Sequence, residues 1–213
     1  MTQQSVRGLQ VEAPISNIWL WQEFAGAANT FVYYDRGILT WQVRGPGVEM
    51  ASVLMNPLMT LVVFAITVLA LRALSRRVAV ADLVPSLSLA YVVALIAFNK
   101  VGSPQYITWL AVPVILGLAT NAVGRGRSFR TPAILVLVLA TLTQLIYPYL
   151  YGYVLGLNPA MLIVLSARNL LYFVLLGWAV VALWRAFGAA ESASSTEDQP
   201  NGGRLTEPWL PAV

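Results

Sequence analysis

From about residue 50 onward, long apolar runs alternate with short polar segments. The first run begins at Met50 or Pro57 and ends at Leu74, and the second spans Val80 to Phe98. A third follows Pro104 to about Val123, a fourth opens at Thr131-Pro132 and reaches Leu150, and a fifth runs from Asn158-Pro159 to Trp184-Arg185. Each is near the ~20 residues that a ~30 Å hydrocarbon core requires, so each is predicted to be a transmembrane helix. Asn56-Pro57, Ser103-Pro104, Thr131-Pro132 and Asn158-Pro159 share one start signal. The polar side chain accepts from a free N–H, and proline at the first helical position gives up no bond it would have made. Residues 1–50 contain no comparable run. There Ser16-Asn17 is expected to cap a short helix through Ile18–Phe24, whose two tryptophans suit a membrane interface. Thr30–Tyr34 and Ile38–Val43 read as strands joined by a turn at Asp35-Arg36-Gly37, a hairpin closed off by Gly45-Pro46-Gly47. The predicted fold is an all-α integral membrane protein with about five transmembrane helices. It divides into a helix-and-hairpin segment at 1–50, a helical bundle at 51–185 and a polar tail at 186–213 that is expected to be disordered.

Composition supports the membrane class. Of the 213 residues, 58% are hydrophobic and 10% charged, where a soluble domain carries about 25% charged residues. The net charge of +4 comes from 13 basic and 9 acidic residues. Most of the basic ones lie in short inter-helix segments, so topology accounts for them and nucleic acid is not an expected partner. Arg72, Arg76, Arg77, Arg125, Arg127, Arg130 and Arg185 fall on one side of the bundle. The positive-inside rule makes that side cytoplasmic, in a multi-pass protein of the cell membrane. Residues 1–50, the Lys100 loop and the Tyr147–Asn158 loop then lie outside, and the tail lies inside. Met1–Glu12 lacks a signal-peptide pattern, which points to upstream sequence that carries this segment across. Cysteine and histidine are both absent. Thiolate chemistry is excluded, metal sites lose their usual ligands, no cofactor is expected, and proton transfer falls to a carboxylate, tyrosine or lysine.

Two polar features interrupt the apolar pattern. Asn99–Trp109 is a short loop holding the protein's only lysine, Lys100, followed by the Ser103-Pro104 start signal. Free N–H groups and the positive pole of a helix beside a lysine suit an anion such as a phosphate. The plainer alternative is a capped loop whose lysine marks the membrane surface. The second feature is Arg168, inside the fifth run and roughly 14 Å along it from Pro159 at 1.5 Å per residue. An intramembrane arginine costs at least ~2.5 kcal/mol and faces a partner or a wet cavity, or else it snorkels to the surface. Lys100 and Arg168 share one side and one depth range, so together they suit a lipid phosphate. Asp35 reads as a turn residue. Glu12 qualifies as a base by chemistry alone.

Asn99-Lys100-Val101-Gly102-Ser103-Pro104-Gln105-Tyr106-Ile107-Thr108-Trp109 resembles the Lys-x-x-Ser-Pro-Gln-Tyr-x-x-Trp motif of glycosyltransferase family 87. These are polyprenol-phosphate-mannose-dependent α-mannosyltransferases of GT-C architecture. Arg7-Gly8-Leu9-Gln10-Val11-Glu12 is similar to the family's Arg-Gly-Leu-Gln-Ile-Glu segment, and Ser166-Ala167-Arg168-Asn169-Leu170 to an Arg-Asn-Leu stretch in a late helix. The resemblance implies transfer of a hexose, mannose in the family, from a polyprenyl-phosphate donor to a glycolipid or glycan acceptor on the outer face, without metal. It implies a donor-phosphate and substrate site at Lys100, Ser103, Gln105, Tyr106, Arg168 and Asn169, with outer-surface contacts from Arg7 and Glu12. The family's catalytic carboxylate lies in an outer loop after its first membrane helix. That loop has no counterpart here, so no catalytic residue is assigned and the chain resembles a C-terminal portion, its N-terminal half missing or separate. The alternatives are a non-catalytic membrane remnant or partner subunit and, last, a lipid or solute transporter. No internal repeat supports a transporter, and the inner parts of the spans offer little polarity beyond Thr60, Thr67, Ser86, Ser88 and Thr120.

Overall fold

The computed structural model describes residues 8–76 and 78–197, with side chains as far as residue 186. A 3-10 turn at Pro14–Ser16 leads into α1 (Asn17–Phe24), followed by β1 (Phe31–Asp35) and β2 (Thr40–Arg44). The helices α2 (Val48–Ser75), α3 (Val80–Ala97), α4 (Tyr106–Trp109), α5 (Ala111–Ala122) and α6 (Arg130–Leu145) come next. A wide turn at Ile146–Leu150 joins α6 to α7 (Tyr151–Leu155), and α8 (Pro159–Glu197) closes the described chain. Among the described residues, four helical stretches are long and apolar enough to cross a membrane: α2, α3, the α6–α7 unit (Arg130–Leu155) and α8 as far as Ala186. The chain is thus read as a multi-pass membrane protein.

The third predicted span departs from expectation. Its helix is shorter, Tyr106–Ala122, and is interrupted at Leu110 between α4 and α5. Pro113 explains the break, since it has no N–H to offer the Trp109 carbonyl four residues back. The proline start signals also divide. Asn158 caps α8 as predicted, its Oδ1 accepting from the N–H groups of Ala160 (3.1 Å) and Met161 (3.4 Å). Asn56-Pro57 instead falls inside α2, whose start is set by Gly47 at φ 81°. Ser103-Pro104 precedes a turn; α4 opens only at Tyr106, whose N–H donates to the Ser103 carbonyl at 3.1 Å.

α3 is the central helix, with 50% of its apolar window buried within the protein against 17% for α2. Ala90, Ala94 and Ala97 lie three and four residues apart on α3 and are buried in one cluster with Tyr172, Leu175 and Ala179 of α8. Small side chains at that spacing let helix backbones approach closely. A second cluster joins Leu9, Val11, Trp19, Leu20 and Val43 to Met161, Leu162 and Leu165 on the first turns of α8. The N-terminal segment is therefore packed on the bundle. The indoles of α1 both find protein acceptors: Trp19 donates to the Pro46 carbonyl (3.0 Å) and Trp21 to Ser166 Oγ (2.9 Å).

β1 and β2 are antiparallel, with Tyr33 opposite Gln42 and Tyr34 opposite Trp41. Residues 9–11 run along the free edge of β2, where the Val43 N–H donates to Leu9 O (3.0 Å) and the Val11 N–H to Trp41 O (3.1 Å). From the other side of this segment the Gln10 N–H donates to the Lys100 carbonyl at 3.1 Å. One extended stretch thus joins the hairpin to the lysine loop. α8 runs on past Arg185 to Glu197; Arg7 and residues 198–213 of the predicted tail lie outside the described residues.

Candidate functional site

Arg168 is the largest fully buried side chain among the described residues, 1% exposed. α8 carries it about two and a half turns below Pro159, where α6 and the N-terminal segment close over it. Its Nε donates to Thr143 Oγ1 (3.2 Å), one terminal nitrogen to the Glu12 carbonyl (3.5 Å) and Asn169 Oδ1 (3.3 Å), and the other to the Tyr172 hydroxyl (3.4 Å). Asn169 in turn donates to Asn17 Oδ1 of α1 at 3.1 Å. Of the two fates open to an arginine in an apolar run, the structure takes the first: the guanidinium faces partners and does not snorkel. Hydrogen bonds to a charged group contribute about 1.5–3 kcal/mol each, enough to offset its insertion cost.

Glu12 lies over this arginine. Its carboxylate accepts a hydrogen bond from the Tyr151 hydroxyl. Burial pushes the Glu12 carboxyl above its ordinary 4.5, while the Tyr151 bond and, to a smaller extent, the Arg168 charge pull it back. The Tyr147 hydroxyl is buried without a well-formed hydrogen bond, and its ring stacks on that of Tyr151 at 4.8 Å.

The lysine loop closes the third side. A Cβ on Gly102 would stand 2.3 Å from the Glu12 carbonyl carbon, so only glycine permits this backbone-to-backbone approach. The Gly102 N–H donates to Gln10 Oε1 at 3.2 Å, and Lys100 is buried, 7% exposed. Glu12, Arg168 and Asn169 are thereby gathered at the hairpin end of the bundle, with the backbone of the Lys100 loop alongside. Ser103 is half-buried beside them, Gln105 is exposed, and Tyr106 stacks on Trp109 with ring centroids 4.5 Å apart. The helix cap expected at Ser103 is corrected. α4 has four residues, and no side chain caps it.

Sequence reasoning missed Thr143, Tyr147, Tyr151, Tyr172 and Asn17. A signal existed for Tyr172, which follows Arg168 by four residues and so shares its helix face. Tyr147 and Tyr151 have the same spacing but straddle a break in the helix, Tyr147 being extended at φ −114° and ψ 136°, so spacing alone did not pair them. The other two come from elements distant in the chain, and only packing brings them in. No family model, no curated protein and no solved structure matches this chain.

Proposed function

We propose that this chain is the C-terminal portion of a membrane glycosyltransferase that transfers a hexose, mannose by resemblance, from a polyprenyl-phosphate donor to a glycolipid or glycan acceptor. The observation that carries the reading is a buried Arg168 bonded to the Glu12 backbone, beside the loop that holds the buried Lys100, at one end of a bundle of apolar helices. Two cations in a low-dielectric setting create a field that favours a phosphate and stabilises it as it leaves the sugar. With four hydrogen bonds already made to protein, Arg168 supplies charge and holds Glu12 in place. Lys100, the cation of the motif that carries the resemblance, is assigned to the phosphate. Glu12, engaged by Tyr151, is assigned to anchoring the N-terminal segment; the acceptor's base belongs to a part of the enzyme that the resemblance places elsewhere. In this reading the cluster faces the outside of the cell, and the bundle has GT-C architecture with the short α4–α5 helix as a fifth, incomplete crossing.

One observation favours a second reading. An arginine so completely satisfied by protein is also what a non-catalytic membrane module would carry as an internal clamp. Native mass spectrometry of the purified chain with a polyprenyl phosphate separates the two. The transferase reading predicts an adduct that weakens at least about tenfold in Lys100→Ala, the loss expected when a charge-assisted bond is removed. An adduct unaffected by Lys100→Ala, or none at all, supports the clamp.

A further inference from the structure

A polar cavity of about 550 Å³ opens on the outward face of the hairpin, apart from the Glu12–Arg168 cluster. Strand alternation builds it. Tyr33, Asp35, Gln42 and Arg44 share one face of the two strands, while Val43 and Trp41 on the other face pack into the core. Glu49, from the first turn of α2, and Gly8 complete the wall. The floor is fixed: Gln42 is 1% exposed, and its Oε1 accepts from the Tyr33 hydroxyl at 3.1 Å. At Gly8 a Cβ would stand 2.3 Å from that same Oε1, so glycine lets the wall close on the floor.

The chemistry selects a ligand class. Asp35 and Glu49 disfavour an anion, and Arg44 disfavours a cation. Carboxylates and the Tyr33 phenol oxygen as acceptors, with guanidinium and amide donors, match a neutral molecule bearing many hydroxyls, since each hydroxyl both donates and accepts. The half-buried Tyr33 ring adds an apolar surface of the kind that the C–H face of a sugar needs. We infer that the hairpin cavity binds a neutral saccharide and forms the acceptor subsite. The acceptor role rests on the glycosyltransferase reading; the binding does not. The separation from the phosphate cluster fits an extended glycan. Gly8 and Glu12 are four residues apart, which limits the distance between them to about 14 Å.

The test uses the full chain in a detergent without a sugar headgroup and saturation-transfer NMR. Mannobiose and maltose are the probes, with glucuronate and glucosamine as charged controls. The expected result is a disaccharide signal in the native protein and a loss of affinity of at least about tenfold in Arg44→Ala/Glu49→Ala, as follows from removing charged hydrogen-bond partners. Both side chains are exposed, so an unchanged Tm shows that the fold is kept. No disaccharide signal, a preference for either charged sugar, or equal binding by the double variant would overturn the inference. Polyprenyl-phosphate binding is measured on the same samples. Disaccharide binding without it upholds the cavity and removes the transferase reading, and the reverse outcome overturns only the cavity.

Discussion

Arg168 and Glu12 show how one buried charge organises a site. Arg168 ties α8 to α6 through Thr143 and to the N-terminal segment through the Glu12 carbonyl. Its removal leaves those acceptors unpaired in a dry interior. Arg168→Met is expected to destabilise the protein by about 2–3 kcal/mol, seen as a lower unfolding midpoint. Arg168→Lys should recover little of that loss, because a point charge cannot reproduce the planar fork. Glu12 gives a pH signature. Its folded pKa is raised above the unfolded 4.5 by burial, so within the window above 4.5 the native state binds more protons than the unfolded state. Its contribution is complete below 4.5 and declines as pH rises through the raised folded value. The Tm of the native protein minus that of Glu12→Gln should therefore fall between pH 4.5 and neutrality. A flat difference would show that the carboxyl is not buried. At this scale the sequence was partly legible. Arg168 stood out as a charge deep inside an apolar run, but Tyr147 and Tyr151 looked like any aromatic residues near a helix end.

The elements show which local signals survive packing. Four polar-proline pairs looked equivalent in sequence, yet only Asn158 caps a helix with its side chain. Asn56 lies inside α2 because Gly47, with its positive φ, starts that helix earlier. Asn158→Ala should therefore cost about 1 kcal/mol, and Asn56→Ala should stay within about 0.5 kcal/mol. Parallel thermal melts would tell them apart. Equal effects would mean that the caps have been misassigned. Gly102 gave no distinctive signal in sequence, although its missing side chain admits the Glu12 backbone. Gly102→Val should displace the lysine loop and expose the Gln10–Lys100 backbone bond, read as faster amide exchange at Gln10. Close approach between residues 90 positions apart is a property of the tertiary fold, so no local pattern announced it.

For the whole molecule, hydropathy was the most legible property. Long apolar runs became α2, α3, the α6–α7 unit and α8, while the run weakened by Pro113 became a shorter helix. The burial of the N-terminal segment was less legible, because a segment with two tryptophans and mixed polarity looks the same on a lipid surface and on a protein surface. The proposed orientation has its own test, helped by the absence of cysteine. A cysteine placed at Gly37 should react with an impermeant maleimide on intact cells, and one at Gly124 only after lysis. The reverse pattern would put the hairpin end in the cytoplasm and remove the outer-face acceptor. The central claim, that the Lys100–Arg168–Glu12 cluster receives a lipid-linked phosphate, is tested most directly by photoaffinity labelling. A polyprenyl phosphate carrying a diazirine next to the phosphate would be crosslinked to the native protein and the labelled peptides sequenced. The account predicts labels in the 99–106 loop and near Glu12, competed away by unlabelled polyprenyl phosphate and lost in Lys100→Ala. Labels spread along the exposed faces of α2 and α6, without competition, would contradict it.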